Sequence, residues 1–145
     1  MRNRYFNSVV LILILVFLFF LWIWFLAKKQ EDFDMQSDPK LFFIREQLKK
    51  LEPEVVPRLR FYRGKKSYTI NKQKVYLCLK DEHHNYYNDN MLMYVSIHEL
   101  AHVMCPEIGH TEKFHEIFQR LLDRAEEIGI YRSDLPIDKD YCNFG

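Results

Sequence analysis

Hydrophobic and polar positions follow several different rhythms along the chain. Residues 9–27 (VVLILILVFLFFLWIWFLA) carry no polar side chain apart from the indole N–H groups of Trp22 and Trp24. Such a run makes about 28 Å of helix at about 1.5 Å per residue, close to the roughly 30 Å hydrocarbon core of a bilayer. Arg2 and Arg4 flank one end and Lys28 and Lys29 the other. The two tryptophans sit near the second end, where amphipathic rings favour the membrane interface. The run is longer than the apolar core of a secretory signal and lacks a small-residue cleavage site. The reading is an uncleaved membrane helix, with a cleaved signal or a buried soluble helix as alternatives.

Beyond the anchor the rhythm changes. Residues 30–38 (QEDFDMQSD) are polar and acidic and run into Pro39. A tether over 28–40 is expected there. In residues 41–52 apolar side chains recur at 41, 44, 48 and 51, which is helical spacing. Pro53 stops that helix, and Pro57 is expected to keep the next residues extended. Three strand-like runs follow at 59–63, 67–70 and 74–79. Gly64, Lys65 and Lys66, then Asn71, Lys72 and Gln73, are the expected hairpin connections, giving a short antiparallel sheet. In the third run Val75, Leu77 and Leu79 alternate with Tyr76 and Cys78, which predicts cover on both faces.

After a polar loop, Asn90 or Asp89 is placed to cap a mostly apolar helix over 91–104. A break at Cys105, Pro106 and Gly109 leads to a second helix over about 112–128, capped by Thr111 and ended by Gly129. Its apolar stripe is Phe114, Ile117, Phe118, Leu121, Leu122, Ala125 and Ile128. An irregular tail over 130–145 carries Tyr131, Tyr141 and Phe144. The chain thus reads as a flank (1–8), a transmembrane helix (9–27), a tether (28–40) and one α+β domain (41–145).

Composition fits this division. The 21 basic and 20 acidic side chains all lie outside residues 9–27 and leave a net charge of +1. No nucleic-acid surface is expected from that balance. Cys78, Cys105 and Cys142 cannot all pair within one chain, which favours a reducing compartment. The domain also lacks an N-x-S/T acceptor, so its expected side is cytosolic, although the flanking charges nearly balance across the anchor.

The chemistry concentrates at His98-Glu99-Leu100-Ala101-His102. Histidines at i and i+4 project from one helical face, so both imidazoles can reach one metal ion. Glu99 lies about 100° around the helix, placed to reach a water at the metal rather than to be an in-line ligand. It can take that water's proton as general base, and the hydroxide can attack a carbonyl polarised by the metal. A catalytic zinc takes three protein ligands and keeps one open position. His110, beyond the Pro/Gly break, is the expected third ligand. His115, Glu112 and Glu116 are alternatives, and Cys105 is either a small buried thiol or a ligand. His83 and His84 lie in a polar loop and are expected to face water.

The stretch HELAHVMCPEIGHTEKFHEIF resembles the active-site region of zincin-type metallopeptidases of the WLM and SprT-like kind. There the H-E-x-x-H helix is followed by a loop, a third His in a G-H or P-H pair, and a Phe-containing helix. The matching positions are His98, Glu99, His102, Gly109-His110 and Phe114. Residues 75–142 are also similar to small predicted metallopeptidases of large eukaryotic DNA viruses. The resemblance implies a small zincin-like fold, one zinc ion and hydrolysis of peptide bonds in a protein or peptide substrate. Several members act on protein crosslinked to DNA, but no basic or zinc-ribbon module follows the motif here.

The strand at 74–79 is expected to align an extended peptide by strand addition. Tyr141 or Tyr131 is read as a packed aromatic, with an oxyanion donor as the alternative. The rival function is a non-catalytic, metal-stabilised interaction or structural protein on a viral or host membrane.

Overall fold

A computed structural model describes residues 2–142, with side chains described for 5–30 and 37–142. The chain divides into two units, Met1–Asp34 and Met35–Gly145. The first holds most of helix α1 (Arg2–Gln36), whose last two residues fall in the second. Its segment Tyr5–Gln30 is long and apolar enough to cross a membrane, and none of it is buried within the chain. The expected tether is not a separate linker. The helix runs on through the acidic residues to Gln36, because no breaker occurs before Asp38, which the following proline holds in an extended conformation.

The second unit continues with α2 (Pro39–Leu51). Asp38 caps it by accepting from the Lys40 N–H at 2.9 Å, and Pro39 takes the first helical turn, where its missing donor costs nothing. The four predicted positions Leu41, Ile44, Leu48 and Leu51 are all buried. Pro57 does not extend the next segment. It sits in a 3₁₀ turn, Val56–Arg58, whose first turn tolerates the proline φ.

Three strands follow: β1 (Arg60–Arg63), β2 (Tyr68–Ile70) and β3 (Lys74–Leu77). The sheet is mixed rather than antiparallel, in the order β1-β3-β2. β2 and β3 form the expected hairpin, with Asn71 and Lys72 at φ 50° and 54° and Gln73 N–H bonded to Ile70 O at 3.1 Å. The other expected hairpin does not form, since β1 pairs in parallel with β3. Residues 64–67 instead arch over the end of β3. Gly64 N–H donates to Leu77 O at 2.9 Å, and Ser67 Oγ accepts from Cys78 N–H at 3.0 Å. A Cβ on Gly64 would lie 2.9 Å from Lys66 O and 3.3 Å from the Tyr76 Cβ, so the arch requires glycine. With β3 central, Tyr76 is sandwiched between Tyr62 and Tyr68, at centroid distances of 4.9 and 4.7 Å. Val75 and Leu77 are buried on the opposite face. β3 is thus covered on both faces, as its pattern predicts.

Helix α3 (Asp89–Met104) packs against α2, β2, β3 and α4 (Glu112–Glu127). Its cap is Asn88 rather than the expected Asn90 or Asp89, with Oδ1 accepting from Met91 N–H at 2.8 Å. Asp89 then falls in the first turn, where the helix dipole favours a carboxylate. α4 is capped by Thr111 and ends before Gly129 at φ +76°. Six of the seven predicted stripe residues are buried, whereas Ile128, beyond the last turn, is exposed.

Cys78 and Cys142 form a disulfide, leaving Cys105 as a buried free thiol. The odd cysteine count therefore does not argue for a reducing compartment. Two cysteines pair and the third is packed in the core.

Candidate metal centre

α3 is buried along most of its length, with Ile97, Leu100 and Ala101 in the core. Its remaining face turns His98 and His102 toward a cleft, and the chain after Cys105 returns to bring His110 against them. Gly109, at φ +85°, makes that return possible. The three Nε2 atoms converge: His98 to His102 is 3.2 Å, His102 to His110 is 3.0 Å, and His98 to His110 is 3.0 Å.

This triangle cannot be satisfied by hydrogen bonds alone. Each Nε2 offers either one N–H or one lone pair. Around three mutually facing atoms the roles cannot alternate, so at least one pair must clash. A cation accepting three lone pairs resolves the conflict. Tetrahedral zinc with nitrogen ligands at about 2.0–2.1 Å would hold them about 3.3 Å apart, close to the separations found.

The surroundings favour neutral imidazoles. Burial, then the charges of His102, His110 and His115, holds the His98 pKa down to about 4. Burial and His110 lower that of His102. Neutral rings are the form that binds metal. Phe114, fully buried, is the common floor of the cluster. His102 stacks on it at 4.3 Å, and His98 and His110 lie at 4.9 Å from it. Phe118 closes the far side of His98 at 5.1 Å.

Glu99 is only 5% exposed. Its Oε2 accepts from Thr69 Oγ1 of β2 at 2.8 Å. Burial raises its pKa above the usual carboxylate value, and the Thr69 bond opposes that rise. Thr69 was not legible in the sequence, because the pairing joins residues thirty positions apart with no local motif. Lys72, in the β2–β3 turn, donates from Nζ to Cys105 O and ties that turn to the end of α3. Thr69, Asn71, Lys72, Glu99, Glu107 and Ile108 line a cavity of about 560 Å³ over the cluster.

Among the described residues, His98, His102 and His110 are the one group of three or more potential ligands that converges. His115 is exposed, with its ring 6.4 Å from that of His110. Glu112 and Glu116 are exposed on α4 and outside the cluster. Cys105 is buried and caps α3 through its backbone N–H to Ala101 O at 2.8 Å. His83 and His84 are exposed, as expected. Tyr141 is packed: its hydroxyl meets Ser67 Oγ at 2.7 Å and donates to Cys78 O. Tyr131 is buried beside Tyr94, with ring centroids 6.0 Å apart. The strand β3 offers no free edge, because it is paired on both sides; the sheet's edges are β1 and β2, and β2 carries Thr69, the partner of Glu99.

No family model and no solved structure matches the chain. It is similar to three viral proteins. Uncharacterized protein 136R of Invertebrate iridescent virus 6 is 45% identical over 91 residues, covering 61% of this chain and 51% of that protein. Uncharacterized protein 042R of Invertebrate iridescent virus 3 is 43% identical over 98 residues, covering 64% and 62%. Uncharacterized protein R325 of Acanthamoeba polyphaga mimivirus is 42% identical over 80 residues, covering 52% and 41%. The chain thus spans about half the length of the curated relatives it matches.

Proposed function

We propose that the chain is a zinc metallopeptidase of zincin type, similar to the WLM and SprT-like group, held at a membrane by residues 9–27. One observation carries this reading: three imidazole nitrogens meet within 3.2 Å, with the buried Glu99 carboxylate one residue from the first of them. His98, His102 and His110 hold the ion. When bound, zinc supplies Lewis-acid activation of water and of a substrate carbonyl.

The chain's own groups do the rest. Glu99 takes a proton from the attacking water and returns it to the departing amine nitrogen. A C–O and an N–H bond form as the C–N bond breaks, and the carboxylate ends as it began. A pKa raised by burial suits a group that must both accept and return a proton. Thr69 fixes the Glu99 carboxylate at the wall of the cleft. The open edge of β2 beside it offers backbone groups to an extended peptide. A non-catalytic scaffold would have no use for an ionisable carboxylate buried at such a cost.

The disulfide bears on the side of the membrane. Such bonds persist in oxidising compartments, so we place the domain outside the cytosol. The test of the main reading is metal analysis of the purified full chain in detergent, paired with cleavage of a peptide library. The expected result is one zinc per chain and hydrolysis lost to a chelator and restored by zinc. Zinc-free protein, or chelator-resistant cleavage, would overturn it.

A further inference from the structure

The charge of the domain is split along the chain. Residues 40–80, which build α2, the 3₁₀ turn and the sheet, hold twelve basic side chains against three acidic ones. Residues 81–145 reverse the balance, with five basic against thirteen acidic. The near-neutral total therefore hides a basic half and an acidic half, a split that suits a domain held against an anionic surface. The basic half is contiguous, since α2 packs on β1 and on the 3₁₀ turn, and β3 joins β1 to β2.

Within that half, a recess of about 320 Å³ lies where α2 meets the 3₁₀ turn and the start of β1. Arg45, Arg58 and Arg60 line it together with Phe42. No acidic side chain lines it, and among the described residues no ion pair engages any of the three guanidinium groups. Other cations of the half are engaged. Lys40 pairs with Asp89 at 2.8 Å, Arg63 lies 3.7 Å from Asp38, and Lys74 and Lys80 sit over the rings of Tyr62 and Tyr86. Local spacing brings the three arginines together. Phe42 and Arg45 are i and i+3 on α2, beside the buried stripe of Leu41, Ile44 and Leu48. Arg58 and Arg60 are both exposed and flank the buried Leu59.

We propose that this recess binds the phosphate of an acidic phospholipid in the membrane that holds the anchor, with Phe42 entering the headgroup layer beside it. Planar guanidinium groups match the oxygens of a phosphate, and three of them without a counter-ion leave a site for one. Phe42 is 66% exposed next to them, the pairing of apolar ring and basic groups that suits a bilayer interface. Pro39 follows Ala27 by only twelve residues, so the anchor keeps α2 near the bilayer. Binding is then intramolecular, and a weak site is enough. The inference rests on the membrane-anchor reading and not on the hydrolase one. It needs an acidic phospholipid in the leaflet that the domain meets, whichever leaflet that is.

The experiment places the full chain, one copy per nanodisc, in phosphatidylcholine with a rising share of phosphatidylglycerol. Phe42→Trp supplies the probe, and the signal of Trp22 and Trp24 is subtracted using discs of the unsubstituted chain. Lipids with brominated acyl chains should quench the new indole increasingly as phosphatidylglycerol rises, and little in phosphatidylcholine alone. Arg45→Gln, Arg58→Gln and Arg60→Gln together should lower the ratio of docked to free domain about hundredfold, at about fivefold per basic group near an anionic surface. The thermal unfolding of the chain should not change. Lys65→Gln with Lys66→Gln, outside the recess, should leave docking as it is. Equal quenching in pure phosphatidylcholine, quenching that survives the three arginine substitutions, or an equal loss per charge from the lysine pair would overturn the inference. So would a signal that appears only with two chains per disc, which means a second copy as the partner, or only with an added DNA oligonucleotide. Failure of the full chain to enter the discs would overturn the anchor reading as well.

Discussion

His110→Ala separates metal binding from folding. His110 is the exposed member of the cluster and lies in a loop between α3 and α4. Truncating it leaves no core cavity, so metal-free stability should change by no more than about 0.5 kcal/mol. With zinc the picture differs. An ion that binds only the folded state at a hundredfold excess over Kd stabilises it by about 2.7 kcal/mol. For a domain of this size that corresponds to a Tm rise on the order of 10–15 °C. Losing one of three ligands should weaken affinity at least as much as losing an outer-shell partner does, which is about 10–100-fold. A hundredfold loss at the same zinc concentration leaves about 0.4 kcal/mol of stabilisation. Differential scanning calorimetry of the full chain in detergent, with zinc and with chelator, measures both terms. The reasoning fails if wild type shows no zinc-dependent rise, or if His110→Ala keeps it. His115→Ala should retain the whole rise.

Four further outcomes follow from the same geometry. Phe114→Ala removes the fully buried floor under all three imidazoles; denaturant unfolding should show a loss of about 3–5 kcal/mol. Glu99 must be ionised to act as a base, so activity should fall as pH drops through its pKa. The Thr69 bond lowers that pKa, so Thr69→Val should move the acid limb of the pH–rate profile to higher pH; an unmoved or lower limb would contradict the pairing. Finally, thiol alkylation of the chain in intact expressing cells should label Cys78 and Cys142 only after reduction; labelling without reductant would return the domain to a reducing compartment.

Much of this architecture is legible along the chain because it is written in local spacing. The stripes of α2 and α4, the Thr111 cap and the two α3 histidines all follow from contacts three to eight residues apart. The β2–β3 turn is equally local. What escapes is non-local. The order β1-β3-β2 and the expected antiparallel order use the same strands and turn residues, and they differ only in whether residues 64–67 fold back or arch across. The partner of Cys78 lies sixty-four residues away, with three pairings open to three cysteines. Thr69 meets Glu99 only because β2 docks beside α3. The choice of His110 over His115 is intermediate: spacing suggested it, but the positive φ of Gly109 and the shared contact with Phe114 place it against the α3 histidines.

The central claim is that Glu99 performs proton transfer beside a three-histidine zinc site. It is tested most directly by comparing peptide cleavage by wild type and Glu99→Gln, each with its zinc content measured. The account predicts one zinc per chain in both proteins and turnover lower by about 10²–10⁴-fold in the variant. Equal turnover at equal zinc content would contradict it.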